Sequence, residues 1–278
     1  MVKKFLLLLV LSNTAWAKCA ILFVPGAFAA KSTASVLFLN PTDYFKDYIE
    51  AAKSWGCETK MAELPPDATI EEQGIILKEE VIRFSTQQKS RISIIAHSQG
   101  ALDAVYIAHD FKLENFIGNL VSIGTPFYGT PLADWAISQR KNKSFIYYLL
   151  KWVGSYDLMA LNFAPELTPG FMAGQKAHFL ENPGIRYAYA RGVCLRNCHL
   201  IFRLLNLLAG DNDGNDINDN KQSGDGLIPS SSQKQAYGSN LGDFDLDHIS
   251  EVGAGGSAEH EARGALLSRI RSFLAPSF

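Results

Sequence analysis

Short apolar runs that end in turn residues alternate with helix-patterned stretches along nearly the whole chain, and this alternation restricts the fold more than any other feature. Residues 20–24 are unbroken apolar and stop at Pro25-Gly26, which reads as a buried strand followed by a turn. A helical stretch over roughly 42–55 closes at Gly56, and 57–64 reads as a second strand ended by Pro65-Pro66. Thr69 to Glu72 has the capping-box spacing, and Ile70, Gly74, Leu77, Val81 and Phe84 fall on one stripe of the helix it opens. Residues 91–96 form a predicted third strand that runs directly into a helix from 98 to about 109; 119–123 is a fourth strand and 185–190 a fifth. Near the end, Ser257 can cap a helix whose Leu266, Ile270, Phe273 and Leu274 face inward, with Pro276 as the stop. Continuously apolar strands separated by helices call for a mostly parallel sheet with helices on both faces. No linker rich in Gly or Pro divides the pattern, so residues 18–278 are read as a single α/β domain.

The third strand carries the most specific chemistry. Ile92-Ser93-Ile94-Ile95 flows into Ala96-His97-Ser98-Gln99-Gly100 and then into the helix-like Ala101-Leu102-Asp103-Ala104. A sharp strand-to-helix turn lifts a Ser hydroxyl out of the sheet edge and aims the next N–H at the reaction centre. Small residues two before and two after the Ser are required because strand and helix backbones pass closely there. The bare pattern arises by chance about 0.2 times in a chain this long, and a Ser in an ordinary tight turn is the competing reading. The β run before it and the helix after it favour the nucleophile.

A nucleophilic Ser needs a base, and the base an orienting acid. The chain order that accompanies this turn is Ser, acid, His. His109 closes the nucleophile's own helix, His178 and His199 precede the best acid, and His260 sits in the charged run Glu259-His260-Glu261. His248, in Asp247-His248-Ile249 before a Gly-rich segment, is the expected base. Gly224-Asp225-Gly226 sets a carboxylate between two glycines, and Asp225 is the expected acid. Asp243, Asp245 and Asp247 lie too near His248 to come from a separate strand end. Asp211, Asp213, Asp216 and Asp219 crowd a polar tract that reads as a solvated loop or a hard-cation site, though Asp216 stands where an EF-hand needs Gly.

The first seventeen residues have positive charge at Lys3 and Lys4, an apolar run from Phe5 to Leu11, and Ala15-Trp16-Ala17 at the A-x-A positions, the order of a secretory signal peptide cleaved after Ala17. The run is shorter than the roughly 20 residues a spanning helix needs. Secretion outside the cell is therefore expected, with the periplasm as the alternative. Export gives the four cysteines a meaning, because an oxidising compartment favours disulfides. Cys19 and Cys57 each open a predicted parallel strand and can bridge if those strands are neighbours. Cys194 and Cys198, too sparse for a four-ligand zinc site, make the second expected pair. With 26 basic and 28 acidic side chains, a formal net charge of -2, and no Lys/Arg run, nucleic acid is not an expected partner.

Taken in order, Phe23-Val24-Pro25-Gly26-Ala27, Ala96 to Gly100, Ile123-Gly124-Thr125-Pro126, Gly129 to Asp134, Gly224 to Pro229 and Asp247 to Val252 resemble the secreted bacterial triacylglycerol lipases of the α/β-hydrolase fold, most closely the Pseudomonas and Burkholderia type. The resemblance spans nearly all of the mature chain. It implies Ser98 as nucleophile, Asp225 as orienting acid, His248 as general base, and the Ala27 and Gln99 backbone N–H groups as the oxyanion hole. Three positions depart from it: Pro25 and Phe127 replace histidines, and Ser250 replaces the calcium-ligating Asp two residues after the catalytic His. No cofactor is needed for the chemistry, and structural calcium loses one carboxylate ligand.

An insertion at about 131–180 holds Phe145 to Leu150, Trp152 and Val153 nearly continuously, with Trp135, Leu158, Met159, Leu161, Phe163, Phe171 and Met172 adding apolar surface. An ordinary core helix is one reading; a lid that covers Ser98 in water and opens against lipid is the other, and the resemblance favours it. The expected activity is hydrolysis of long-chain acyl esters at a lipid–water interface by a monomer. A dedicated foldase, which some relatives use, is left open. Acyl transfer, short-chain or polyester hydrolysis on the same residues, and a non-catalytic binding protein on the fold are the competing functions.

Overall fold

The computed structural model describes residues 19–27, 43–65, 68–142, 164–196, 198–200, 202–203, 224–253 and 257–277. The expected signal peptide, the apolar run 145–153 and the Asp/Asn tract 211–220 lie outside them. Among the described residues, β1 (Ala20–Val24), β2 (Glu58–Met61), β3 (Ile92–His97), β4 (Ile117–Ile123), β5 (Arg186–Gly192) and β6 (Ser239–Phe244) form one sheet in the order β2-β1-β3-β4-β5-β6. Every pairing is parallel.

Side chains alternate across a strand, so each strand feeds two cores. In β1, Ala20, Leu22 and Val24 join α2 (Ile70–Gln88) and α3 (Gln99–Asp110) on one face. Ile21 and Phe23 join α1 (Lys46–Ser54) and α6 (Ser257–Leu274) on the other. All five β1 residues are buried, which is why the strand reads as an unbroken apolar run. The stripe expected on α2 is buried, and its capping box forms: Glu72 N–H donates to Thr69 Oγ1 at 3.2 Å while Thr69 N–H donates to Glu72 Oε2 at 3.0 Å.

Several expected boundaries move. The first helix opens at Lys46 because Phe45 is left-handed, φ 58°, and a helix cannot run through it. β2 is only four residues long. In α6, Leu266, Ile270 and Leu274 are buried, while Phe273 only flanks the cluster. β6 was not expected, because Ser239-Asn240-Leu241-Gly242-Asp243-Phe244 is an edge strand, mostly exposed, with neither an apolar run nor clean alternation. In the insertion, α4 (Pro131–Asn142) and α5 (Pro169–Gly174) are described. Met172 is buried and Phe171 packs beside it in the main core, so these two are core residues rather than cover.

Both expected disulfides are present. Cys19–Cys57 joins the starts of the adjacent strands β1 and β2, where Glu58 N–H donates to the Cys19 carbonyl at 2.8 Å, and Cys194–Cys198 closes a short loop after β5. No described helix is long and apolar enough to cross a membrane. The chain leaves β1 for β2 on one side and reaches β3 on the other. A crevice therefore opens at the carboxyl ends of β1 and β3, the place where open parallel sheets bind ligands.

Candidate active site

Ser98 sits at that crevice with φ 55° and ψ −131°, a conformation that costs a non-glycine residue about 1–3 kcal/mol. Its N–H donates to the Ile123 carbonyl at 2.9 Å, which anchors the turn to β4. The turn tolerates no bulk. A Cβ on Gly100 would lie 2.2 Å from the Pro25 carbonyl oxygen, and one on Gly26 would lie 2.8 Å from Ser98 Cβ. Ala96 is fully buried, so a methyl fits where Gly is usual. This close approach sets the Gly26-Ala27 turn at the end of β1 directly beside the Ser98 side chain. Gln99 N–H, the first of α3, belongs to the helical N-terminal amides that lack an intrahelical partner.

His248 and Asp225 reach Ser98 from two loops beyond β5. His248 Nε2 lies 2.9 Å from Ser98 Oγ, and His248 Nδ1 lies 2.8 Å from Asp225 Oδ2. Asp225 is fully buried, and His248 is 2% exposed. The Asp225 carboxylate is held from several sides: Oδ1 accepts from Leu227 N–H at 2.9 Å and Ile228 N–H at 2.7 Å, and Oδ2 from Gln233 Nε2 at 3.2 Å. A carboxylate only accepts, so Nδ1 of His248 carries the proton and Nε2 presents a lone pair to the Ser98 hydroxyl. His248 N–H donates to the Asp225 carbonyl at 2.9 Å, tying the two loops together. Such an arrangement can move a proton from a Ser hydroxyl to an imidazole while a carboxylate holds the ring.

The other histidines are engaged elsewhere. His178 Nδ1 is 2.6 Å from Asp110, His260 meets Asp47 at 3.4 Å, and His109 lies at the far end of α3 beside Asp110. His199 Nδ1 contacts Asp247 Oδ2, whose carboxylate also accepts from His199 N–H at 3.0 Å. Asp247 Oδ1 accepts from Ile249 N–H at 3.2 Å and Ser250 N–H at 2.8 Å, so this aspartate shapes the turn that presents His248. Asp243 on the edge strand β6 pairs with Arg191 of β5. The Cys194–Cys198 loop borders the site as well, since Cys194 N–H donates to the Gly224 carbonyl at 3.0 Å.

Sequence reasoning missed Tyr44, His97, Gln233 and Glu251, which surround the three residues above. Gln233 is fully buried and bridges Asp225, Ile228 and Gly192. Tyr44, His97 and Glu251 form a chain of hydrogen bonds behind the Ser98–His248 contact. Burial pushes the Glu251 carboxyl well up, with the charges of Asp225 and Asp247 adding to it. Burial likewise holds His97 well below the ordinary histidine value, with a smaller contribution from His248, and raises Tyr44. The one available signal was His97 next to Ser98; nothing local distinguishes a structural Tyr44 or Glu251 from any other. His97, His248 and Glu251 bring ligand-type atoms within 4.8 Å of one another, but these atoms are spent on each other, on Tyr44, on Asp225 and on Ser98.

A parallel sheet in this order, with a Ser elbow after one strand and an Asp and a His on later loops, is the α/β-hydrolase fold. Solved structures of lipases and esterases share it. The mature form of the Bacillus licheniformis lipase BlEst2 superposes with a TM-score of 0.64 at 19% identity, over 93% of this chain and 92% of that one. The metagenomic carboxyl esterase MGS0156 gives 0.69 at 19% identity, over 94% and 77%. The Staphylococcus hyicus lipase gives 0.58 at 15% identity, over 92% and 95%. In sequence, the chain is 31% identical over 96 residues to triacylglycerol lipase 2 of Saccharomyces cerevisiae, a match covering 32% of this chain and 29% of that protein. No protein-family model matches the chain.

Proposed function

We propose that this chain is an exported carboxylic ester hydrolase of the triacylglycerol lipase kind, with Ser98 as nucleophile, His248 as general base and acid, and Asp225 as orienting carboxylate. The observation that carries the reading is the single imidazole of His248, 2.9 Å from Ser98 Oγ on one side and 2.8 Å from Asp225 on the other. Ser98 Oγ adds to the ester carbonyl as its proton passes to His248 Nε2. The Ala27 and Gln99 N–H groups donate to the carbonyl oxygen as it becomes negative, each such donor being worth about 3–4 kcal/mol in the transition state. His248 then returns the proton to the departing alkoxide, leaving an acyl-Ser98. Water, deprotonated by the same imidazole, adds to that acyl group; collapse restores the Ser98 hydroxyl and releases the carboxylic acid.

Export is supported by the N-terminal sequence pattern and by two disulfides that an oxidising compartment favours. Long acyl chains as substrate, a lid within 131–180, and the Pseudomonas and Burkholderia type are the finer parts of the reading, and they rest on sequence resemblance. Structural calcium of that type has poor support here: position 250 supplies a buried hydroxyl, and the Asp247 carboxylate is occupied by His199 and by backbone N–H groups. A thermal midpoint unmoved by calcium or a chelator is the expected outcome.

Covalent labelling by a fluorophosphonate tests the chemistry. The wild-type protein is expected to react at Ser98 and Ser98→Ala to remain unlabelled; an unlabelled wild-type protein refutes the hydrolase. Substrate class is tested by comparing emulsified long-chain esters with soluble short-chain esters. A strict preference for acetyl or butyryl esters, unchanged above their solubility limit, removes the lipase and keeps the esterase.

A further inference from the structure

We propose that Tyr44, His97 and Glu251 form a buried hydrogen-bonded strut that positions the Gly26-Ala27 turn, and with it the oxyanion donor at Ala27, against Ser98 and His248. The inference rests on the hydrolase reading and adds three positioning residues to it. Gly26 N–H donates to Tyr44 Oη at 2.9 Å, Tyr44 Oη lies 2.6 Å from His97 Nδ1, and His97 Nε2 lies 3.0 Å from Glu251 Oε2. None of the three side chains is more than 7% exposed. Each link belongs to a segment that carries part of the site. Gly26 precedes Ala27, His97 precedes Ser98, and Glu251 lies three residues after His248.

The surroundings are shaped to hold this chain. A Cβ on Gly124 or Gly192 would fall 2.0 or 1.9 Å from a Glu251 carboxyl oxygen, so the two glycines leave the slot it occupies. The left-handed Phe45 turns the backbone beside Tyr44, and its N–H donates to the Val252 carbonyl at 2.7 Å. Tyr48 Oη donates to the Glu251 carbonyl, so the turn bearing Tyr44 and the turn bearing Glu251 are fastened twice. The His97 and His248 rings are 4.5 Å apart between centroids, which places the strut directly behind the base.

Tyr44 Oη accepts from Gly26 N–H and donates its own proton to His97 Nδ1, and the neutral His97 then donates Nε2–H to Glu251 Oε2. The Tyr44 hydroxyl is thus the one group through which the strut reaches the oxyanion turn. Without it, Gly26 N–H loses its partner inside a buried crevice and the turn is free to shift. A shift of that donor weakens the transition state more than the bound ester, because the carbonyl oxygen becomes negative only on attack.

Tyr44→Phe removes that one oxygen and keeps the ring. The expected result is a kcat lower by about 10- to 100-fold on a p-nitrophenyl ester, part of the 10²–10³ that loss of a whole oxyanion donor costs. KM should stay within about twofold, and affinity for a boronic acid transition-state analogue should weaken in step with kcat. A kcat loss under about fivefold, or one matched by KM, overturns the proposal. Should Tyr44→Phe fail to fold, the pair Glu251→Ala and Glu251→Gln decides. Glu251→Ala should lose kcat to a similar degree, and Glu251→Gln, whose amide oxygen can still accept from His97 Nε2–H, should recover most of it; equal kcat in the two overturns the strut. Fluorophosphonate labelling of the wild-type Ser98 keeps the outcomes apart, since its absence removes the hydrolase reading itself.

Discussion

Replacing Asp225 with Asn tests whether the imidazole of His248 works in the tautomer the structure imposes. The substitution preserves shape but adds two N–H donors. Asp225 Oδ1 accepts from two backbone N–H groups, at 2.9 Å from Leu227 and 2.7 Å from Ile228, so the amide oxygen of Asp225→Asn must take that place. The amide nitrogen then occupies the Oδ2 position, 2.8 Å from His248 Nδ1 and 3.2 Å from Gln233 Nε2. Nδ1 must accept, which moves the ring proton to Nε2 and aims a donor at the Ser98 oxygen. The base is present but unable to take a proton, and the amide also faces the Gln233 donor. The same substitution in a serine protease triad lowers kcat by about 10⁴, equivalent to about 5.5 kcal/mol of transition-state stabilisation. Purified Asp225→Asn should show a loss of that order in steady-state hydrolysis of a p-nitrophenyl ester, with a circular dichroism spectrum like that of the wild type. A folded variant within about tenfold of wild-type kcat would refute the tautomer argument and with it the role of Asp225.

Gly100→Ala should disrupt the elbow: its Cβ meets a backbone oxygen at 2.2 Å, so a stability loss of about 1–3 kcal/mol and a fall in activity are expected in urea unfolding and ester assays. Gly170→Ala, with nothing within 4 Å, is the control and should leave both nearly unchanged. Removing Cys19–Cys57 by paired Ala substitutions frees a loop with a sequence separation of 38 and should cost about 4 kcal/mol, against about 2 for Cys194–Cys198 with a separation of 4. Equal losses in chemical unfolding would contradict the loop argument. Asp103 is fully buried with neither carboxylate oxygen hydrogen-bonded, and burial, reinforced by Glu166, raises its carboxyl well above the ordinary 3.8. The folded state therefore keeps a proton that the unfolded chain releases, so its contribution to stability falls as pH rises from about 4 towards the raised folded value. Asp103→Asn cannot ionise, and its thermal midpoint relative to wild type should climb as pH rises above about 4; a difference that is flat with pH would refute this.

Much of the architecture could be read directly because both faces of the sheet are covered. β1 is an unbroken apolar run and β3 a largely apolar one for that reason, and the capping box at Thr69 to Glu72 satisfies helix N–H groups from within four residues. β6 escaped because an exposed edge strand needs backbone pairing with β5 and little apolar side-chain content. The elbow was legible because its requirements are local: strand, tight turn, helix, and no bulk two residues after Ser98.

Chain order and local context pointed to His248 and Asp225, and the strand starts and close spacing pointed to the two cysteine pairs, since few residues of each type met the pattern. What sequence could not supply is the lining of the site. Tyr44, His97, Gln233 and Glu251 lie far apart along the chain, and each is an ordinary polar residue by composition. They gain their roles only when parallel pairing draws β1, β3 and β5 together. Packing then buries their polar atoms, and a buried polar atom must find a hydrogen-bond partner within reach. Local chemistry thus determined which Ser would sit in the strained turn at a strand end, while the folded crevice decided which distant side chains would hold its neighbours in place.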